Sequence, residues 1–552
     1  MLKEIKININ GKEYFYPKGT SLLDISRDFS DNYKNKILAG VVDNVLRELD
    51  YTIEKDCNID FLDLTTTDGQ KIYKRSLSFL FVKAVEKVLP DAKVKVANTI
   101  NKGIFCEIDT DVKLDENIVK KIKDQMIALV KEDIPFIKEN MAREEAIKYF
   151  QEKGCYDKVS LLLTREKEGL KVYTCNGHKN LFYGYLVPST GFLDLFDIVL
   201  AGDGIAIISP RKNNPNTLLK YIPQPKLLHI FEERRQWNKI MGVHLIGDLN
   251  KVIMEGDYRE LIRIVEILHT NKINDIADEI VRLKNKRIIL ISGPSSSGKT
   301  TFSKRLALHL KVHGLSPVAI SLDDYFVNRE LTPKDEFGNY DFESPYCMDL
   351  ELFNQHLLEL IEGKEIELPT FNFKEGRREY RGNKLQVRED QPIILEGIHA
   401  LNPILTEMVN DSLKYKIYIS ALAQLNLDYH NRISTTDLRF IRRMVRDAQF
   451  RGIDAKSTIN LWPSVRRGEE KYIFPFQENA DIMFNSSLSY EIPVLKKYVV
   501  PLLNKITPAD KEFLEANRLL SLVSHFKEIE DENDIPPTSI LKEFIGNSRI
   551  VH

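Results

Sequence analysis

The amino-acid sequence predicts a multidomain α/β protein whose C-terminal half is a parallel sheet with helices on both faces. Three observations carry this. From Lys286 to about Val500, short and almost wholly apolar strands alternate with helical segments, the pattern of a sheet buried on both sides. Residues 1–65 read instead as a hairpin, one helix and two further short strands. At 552 residues the chain exceeds what one hydrophobic core holds, so three or four domains are expected.

The elements follow in order. "EIKINI", the turn "NGK" and "EYFY" make a hairpin, because Asn-Gly suits a type I′ turn. "SLLDISRDF" has helical spacing with Ser21 as N-cap. "AGVVDNVLRELDYTI" and "CNIDFLDL" return to strands, which completes a β-grasp pattern over 1–65, and "DGQKIYKRS" leads into the next unit. Residues 66–225 are mixed α/β. "SLSFLFVKAVEKVLP", "ENIVKKIKDQMIALVKED" and "REEAIKYFQEKG" are helices, the last stopped by Gly154. "KVSLLLT", "LKVYTC" and "GIAIIS" are strand candidates, and "PRKNNPNT" is a loop. Residues 226–284 read as a helical connector. Residues 285–500 carry the strands "RIILIS", "PVAISL", "PIILEG", "YKIYIS" and "ADIMFN", with helical segments between them, and residues 501–552 form a helical tail.

Composition narrows the class. A net charge of -2 excludes a chain that binds nucleic acid through its overall charge, although a local basic face stays open. Five scattered cysteines fit a reducing compartment rather than a disulfide framework. The N-terminus alternates apolar and polar residues without the apolar core of a signal peptide, and no apolar run reaches membrane-spanning length. A cytoplasmic protein without membrane contact is expected.

The chemistry concentrates in "KRIILISGPSSSGKTTF". It satisfies G-x-x-x-x-G-K-[ST] with a strand before and a helix after. Gly293, Pro294, Ser295, Ser296, Ser297 and Gly298 form a loop whose backbone is the binding surface. Gly293 and Gly298 permit the necessary conformations, and the N–H groups turn inward around an anion. The helix that follows, with Lys299, Thr300 and Thr301, adds its positive end. Lys299 can reach the β and γ phosphates of a nucleotide, and the Thr300 hydroxyl can ligate Mg²⁺. GTPases and motor ATPases share such a loop, so other features must decide. In "VAISLDDYFVN", Asp323 and Asp324 end the next strand, where a carboxylate can take a proton from an attacking hydroxyl, hold Mg²⁺ or cap a turn. In "FIRRMVRDAQFRG", Arg442, Arg443, Arg446 and Arg451 lie on a helix, suited to a transferring phosphoryl group or to a solvated basic face. Glu396 ends the strand of "PIILEGIHAL", where an acid can organise Mg²⁺ directly or through water, and His399 beside it reads as structural.

"GPSSSGKTTF", "SLDDYF", "YDFESP", "LPTFNF", "IILEGIHAL" and "RRMVRDAQFRG" occur in the order and spacing of the uridine kinase and phosphoribulokinase-like family, which residues 286–485 resemble. The resemblance implies a P-loop kinase fold, ATP and Mg²⁺ as cofactors, and transfer of the γ-phosphate to a sugar hydroxyl, typically the 5′-OH of uridine or cytidine. It implies Asp323 as general base and metal-associated aspartate, with Thr300 and Glu396 at the other metal positions. Arg443, Arg446 and Arg451 match the closing lid. Glu343 falls where the family carries an aspartate near the ribose. On the acceptor side Asp323, Glu343, Phe371 and Arg446 are the matching positions. The chain also departs from the family. Phe371 stands for a base-reading Tyr, Gly376 lies near the position of a base-reading His, Phe326 replaces a Tyr, and Ile453 replaces a further Arg.

Residues 1–65 resemble the TGS domain, and residues 66–225 resemble the second domain of threonyl-tRNA synthetase. The carriers are "AVEKVLPDAKVKVANTINKGIFCEID", "VKEDIPFIKENMAREEAIKYFQEKG" and "CNGHKNL". In the synthetase an H-x-x-x-H helix and a later Cys/His pair edit mischarged tRNA. Here the helix positions are Arg75 and Phe79, while Cys175 and His178 remain, as metal ligands or as an ordinary thiol and loop histidine. An editing-dead module kept for binding or regulation is expected. Two functions of different class follow: a kinase of a nucleoside or another sugar alcohol, or an ATP-switched regulator that binds tRNA or other RNA. The resemblance also suggests a homo-oligomer.

Overall fold

A computed structural model of the protein describes residues 4–100, 103–166, 168–372 and 375–551. The parts of the quoted stretches at 1–3, 101–102 and 373–374 lie outside the described residues.

The first unit is a five-stranded sheet. β1 (Glu4–Ile9) and β2 (Lys12–Pro17) form the expected hairpin. Asn10 and Gly11 take φ of 52° and 78°, as a two-residue type I′ turn requires. Helix α1 (Leu22–Arg27) starts at the expected cap, with Ser21 Oγ accepting from Asp24 N. β3 (Ala39–Val42), β4 (Val45–Arg47) and β5 (Cys57–Leu62) complete the order β2-β1-β5-β3-β4, with β1 and β5 parallel.

The second unit runs through α2 (Thr67–Val88), β6 (Lys93–Ile100), β7 (Gly103–Asp109), α3 (Glu116–Lys131), β8 (Ile137–Ala142), α4 (Arg143–Glu152) and α5 (Tyr156–Thr164). It closes with β9 (Gly169–Cys175), β10 (His178–Leu181), β11 (Asp197–Ala201) and β12 (Gly204–Ile208). The strands form two antiparallel sheets, β11-β12-β7-β6 and β10-β9-β8. Two expectations fail here. "DGQKIYKRS" is the opening of α2, capped by Thr66, rather than a lead-in. "KVSLLLT" is helix α5, not a strand: a short apolar run has no periodicity that separates a buried strand from a buried helix.

The third region opens with α6 (Pro225–Met241), α7 (Ile246–Glu255) and α8 (Tyr258–Leu283). Then come β13 (Ile288–Ser292), α9 (Lys299–Val312), β14 (Val318–Ser321), α10 (Leu350–Ile361), β15 (Ile366–Asn372), β16 (Arg377–Leu385), β17 (Ile393–Glu396) and β18 (Lys414–Ser420). The chain ends with α11 (Thr435–Phe450), α12 (Ala455–Tyr472), β19 (Ile482–Asn485), α13 (Glu491–Leu503), α14 (Phe513–Val523) and α15 (Lys542–Ile545). All five expected strands are present, in one sheet of order β14-β17-β13-β18-β19 with every pairing parallel. Alternate residues feed opposite layers. Ile289 and Ile291 pack with Ile276 of α8 and Phe302 of α9, whereas Ile288 and Leu290 pack with Phe353 and Leu357 of α10. The segment expected as a connector therefore supplies one of the covering helices. Two further differences stand out. Residues 366–372 and 377–385 pair as antiparallel strands rather than forming helix. Among the described residues the tail is helical over the end of α13, over α14 and over the short α15, and "IPPTSI" with its two prolines cannot continue a helix.

The second unit and the parallel-sheet region share a buried polar joint at residues 426–431. Lys158, 2% exposed, lies 3.3 Å from Asp157 and 3.9 Å from Asp428. Asn431 Oδ1 accepts from Tyr183 N, its amide donates to the Leu181 carbonyl, and Val96 N donates to the Tyr429 carbonyl. No helix among the described residues is long and apolar enough to cross a membrane.

Candidate active site at the phosphate loop

The loop joins the C-terminal end of β13 to α9. β13 is the strand where the chain order reverses, flanked by β17 on one side and β18 on the other. Backbone packing fixes its small residues. A Cβ at Gly293 would overlap the Ile419 carbonyl on β18, and Gly298 has φ of 81°. Ser296 also takes a left-handed φ, 59°. The hydroxyls of Ser296 and Ser297 are buried without a partner, and a phosphate in this cradle would supply one. Lys299 Nζ donates to the Pro294 carbonyl at 3.4 Å, folded back over its own loop.

Strand register brings the acids to the same place. Glu396 pairs with Ile291 on one side and with Ser321 on the other, so the end of β17 lies between the loop and the turn holding Asp323. The Thr300 hydroxyl donates to Glu396. Burial pushes the Glu396 carboxyl up to about 7, and Asp323 adds to the rise while Lys299 and Thr300 oppose it. Asp323 is open to water at the mouth of the crevice, yet protein surrounds it on its other sides. That enclosure raises its carboxyl above the usual range, against the pull of Lys299, Arg451 and Arg446. Thr300, Asp323 and Glu396 present hard oxygen donors, the set Mg²⁺ takes beside a nucleotide. Glu343 faces the same space. Its Oε2 is buried without a partner, and burial, helped by Glu469, raises its carboxyl to about 7. Glu343 can come this close to α12 only because residue 468 is glycine: a Cβ there would overlap the Glu343 side chain. His399 packs beside Glu343 and Tyr472, where burial holds it neutral with a pKa of about 3.

Helix α11 crosses the loop and divides the arginines into two sets. Arg439 and Arg442 are buried clamps. Arg439 Nη1 donates to the Ser295 carbonyl at 3.0 Å, and its Nη2 donates to Glu469 at 2.8 Å. Arg442 donates to the Ser296 carbonyl at 3.4 Å and to the Ser486 carbonyl at 2.8 Å, and pairs with Glu491. Arg443, Arg446 and Arg451 gather instead around the buried carboxylate of Asp447, and Arg443 Nη1 also donates to Ser295 Oγ at 3.1 Å. Burial and the nearby Arg451 lower Arg446 to about 10, so an anion entering here meets crowded cations without enough counter-charge. Arg439, Asp447, Glu469 and Glu491 are absent from the sequence-based candidates. The i, i+4 spacing of Arg439, Arg443 and Asp447 is the signal that marks one helix face.

The β15–β16 hairpin docks beside the turn that carries Asp323 and Asp324: Phe371 N donates to Asp324 Oδ1 at 3.4 Å. The rings of Phe371 and Phe326 lie 5.5 Å apart as an aromatic wall. Gly376, at φ 67°, donates no side chain, and a Cβ there would fall 2.7 Å from Arg329 Nε. In the second unit, Cys175 and His178 pair across a tight turn. His178 Nδ1 lies 3.1 Å from Glu86, and burial raises the Cys175 thiol to about 11. Arg75 donates to the Tyr185 carbonyl at 2.9 Å, and Phe79 packs on Phe136 and Phe182. Among the described residues no cluster of three or more His, Cys, Asp or Glu could hold a metal ion.

A phosphate loop at the order reversal of a parallel sheet covered by helices on both faces gives the C-terminal half a P-loop nucleotide-binding architecture. Residues 288–492 match the Phosphoribulokinase / Uridine kinase family. The N-terminal part is similar to threonine–tRNA ligases. That of Clostridium kluyveri is 32% identical over 189 residues, 34% of this chain and 30% of the ligase. That of Desulforamulus reducens is 27% identical over 264 residues, 46% of this chain and 41% of the ligase. The chain thus spans less than half the length of these curated relatives. Among solved structures, one from Bacillus stearothermophilus described as a "possible uridine kinase" is 18% identical, with 39% of this chain and 98% of that chain covered and a TM-score of 0.27.

Proposed function

We propose that the protein is an ATP- and Mg²⁺-dependent phosphotransferase whose acceptor is a hydroxyl of a small sugar-containing molecule, in the first place the 5′-OH of a uridine- or cytidine-like nucleoside. The single observation that supports this best is the convergence of Lys299, Asp323, Glu396 and the arginines around Asp447 on one phosphate cradle.

In this reading the loop N–H groups and Lys299 hold the β and γ phosphates. Mg²⁺ held by Thr300, Asp323 and Glu396 would offset phosphate charge. Asp323 takes the proton of the acceptor hydroxyl. The acceptor oxygen bonds to the γ-phosphorus as the bond to the β–γ bridging oxygen breaks, and ADP leaves with that electron pair. Arg443, Arg446 and Arg451 stabilise the charge spread over the transferring group. Glu343, with its unpartnered oxygen, binds acceptor hydroxyls, and the Phe371–Phe326 pair, its ring planes 58° apart, offers aromatic surface to a ring.

The test is ATP-dependent phosphate transfer to a panel of nucleosides and sugar alcohols, with Lys299→Ala as blank. Turnover of uridine or cytidine supports the nucleoside reading. Turnover of a sugar alcohol alone keeps the kinase and moves the acceptor. ATP binding without turnover of any acceptor overturns the small-molecule reading. A second reading, an ATP-switched regulator of RNA, draws on the ligase-like N-terminal part joined to the kinase region through residues 426–431. It requires a tRNA shift at low salt that weakens steeply as salt rises.

A further inference from the structure

The C-terminal segment lies on the phosphate loop. Thr301, in the first turn of α9, directs its N–H and its hydroxyl to one acceptor. Glu543 Oε2 accepts from Thr301 N at 3.2 Å and from Thr301 Oγ1 at 2.6 Å. Thr301 is 0% exposed and Glu543 6%, so water reaches neither end of this contact freely. Among the described residues no lysine or arginine nitrogen forms an ion pair with Glu543. A buried carboxylate is thus held by a hydroxyl and by a helix-terminal N–H, the donors that bind phosphate oxygens. The segment covers the loop on either side of this point. A Cβ on Gly298 would lie 2.5 Å from Ile540 Cγ2, and the Phe544 ring lies 5.0 Å from the Arg442 guanidinium. Glu543 also acts electrostatically on Arg446 and Glu396, one on each wall of the site.

We propose that Glu543 is an internal competitor for the nucleotide: its carboxylate occupies the phosphate-binding donors of Thr301, and the turn bearing it must shift before a nucleotide phosphate can use them. The proposal rests on the reading that this loop binds ATP. A carboxylate and a phosphate cannot both accept from the Thr301 N–H, and two anions in contact inside a protein repel strongly. The turn is suited to a limited opening. Ser539 Oγ donates to Glu266 at 2.6 Å, and Leu541 and Ile545 are buried in the core, which anchors both ends. Between them lie Lys542, paired with Glu532 at 3.0 Å, Glu543 and the fully buried Phe544, so release of Glu543 opens one ring contact and one ion pair and leaves the rest of the domain folded. ATP then binds only the open fraction, and its apparent affinity is reduced by that fraction.

The test is ATP affinity of the full chain, measured calorimetrically with Mg²⁺, for wild type, Glu543→Gln and the blank Lys299→Ala. Loss of the competing charge is expected to tighten ATP binding by about tenfold or more. Hydrogen exchange of wild type supplies a readout that needs no variant: amides of 539–546 are expected to exchange faster once ATP is bound. Wild type and Glu543→Gln binding ATP equally, with no change in exchange and with Lys299→Ala failing to bind, overturns the competitor while leaving the nucleotide site intact. Both proteins behaving like Lys299→Ala overturns the nucleotide reading itself, and the competitor with it. Binding by Glu543→Gln alone establishes the competitor in its strongest form.

Discussion

Asp447 accepts from Arg443 Nε at 3.2 Å, and the same fully buried carboxylate lies 3.7 Å from Arg446 and 3.4 Å from Arg451. One acid therefore sets the direction of three cations whose own helix would otherwise splay them. Asp447→Asn leaves those guanidiniums clustered without their counter-charge. Breaking a buried pair of this kind costs about 3–5 kcal/mol, and urea unfolding should show a loss of that order. Added tripolyphosphate should recover more stability in the variant than in wild type, because an anion replaces the missing charge. Equal recovery in both would mean that these arginines do not face the phosphate site.

Asp323 is the only site acid that is open to water and near Lys299, Arg446 and Arg451 at once. Under the proposed function Asp323 takes the proton of the acceptor hydroxyl, and its metal contact is shared with Thr300 and Glu396 and can be kept by the oxygen of an Asn. Asp323→Asn should then lower transfer by roughly a hundredfold to ten-thousandfold, while ATP affinity changes by no more than about threefold. Parallel losses of binding and transfer would assign Asp323 to the nucleotide instead.

How far the sequence reaches is visible at these residues. The phosphate loop was legible because its spacing is local, and each strand of the parallel sheet because it is a short apolar run between turns. The i, i+4 face of α11 was legible in part: it pointed to the arginines but not to Asp447, whose role depends on where three long side chains end. "KVSLLLT" misled because its three consecutive leucines, of which Leu163 is exposed, mask the helical period. Glu543 was illegible for a different reason. Its partner is 242 residues away, and no local pattern in "SILKEFIG" records which surface the tail meets.

Glu343 links the site to stability. Its carboxyl titrates at about 7 in the fold against an ordinary 4.5. Between those values the folded chain holds a proton that the unfolded chain has released. The stability this supplies is full below about 4.5 and is lost as pH rises through about 7. Glu343→Gln keeps a neutral side chain at every pH. The variant's urea midpoint should therefore exceed that of wild type at pH 8, and the difference should close on approaching pH 4. A constant difference across that range would show that the carboxyl titrates normally. Under the proposed function the variant should also raise KM for the acceptor more than for ATP, since the unpartnered Oε2 is there assigned to acceptor hydroxyls.

The missing base-reading histidine cannot be restored by one substitution. Gly376 sits at φ 67°, a conformation that costs a side-chain-bearing residue about 1–2 kcal/mol. A Cβ there would also lie 2.7 Å from Arg329 Nε, and the Gly376 carbonyl accepts from Arg329 N at 2.8 Å, so the two residues cannot simply part. Gly376→His should destabilise the protein by at least the backbone cost and should not improve KM for uridine. Improved turnover of uridine at unchanged stability would mean that the β15–β16 turn yields easily and that Gly376 is a loss of specificity rather than a requirement of this hairpin. If instead stability falls and the acceptor preference stays fixed, the hairpin was rebuilt around Arg329. Under the proposed function that leaves Glu343 and the Phe371–Phe326 pair to read the acceptor's hydroxyls and ring, without a histidine at 376.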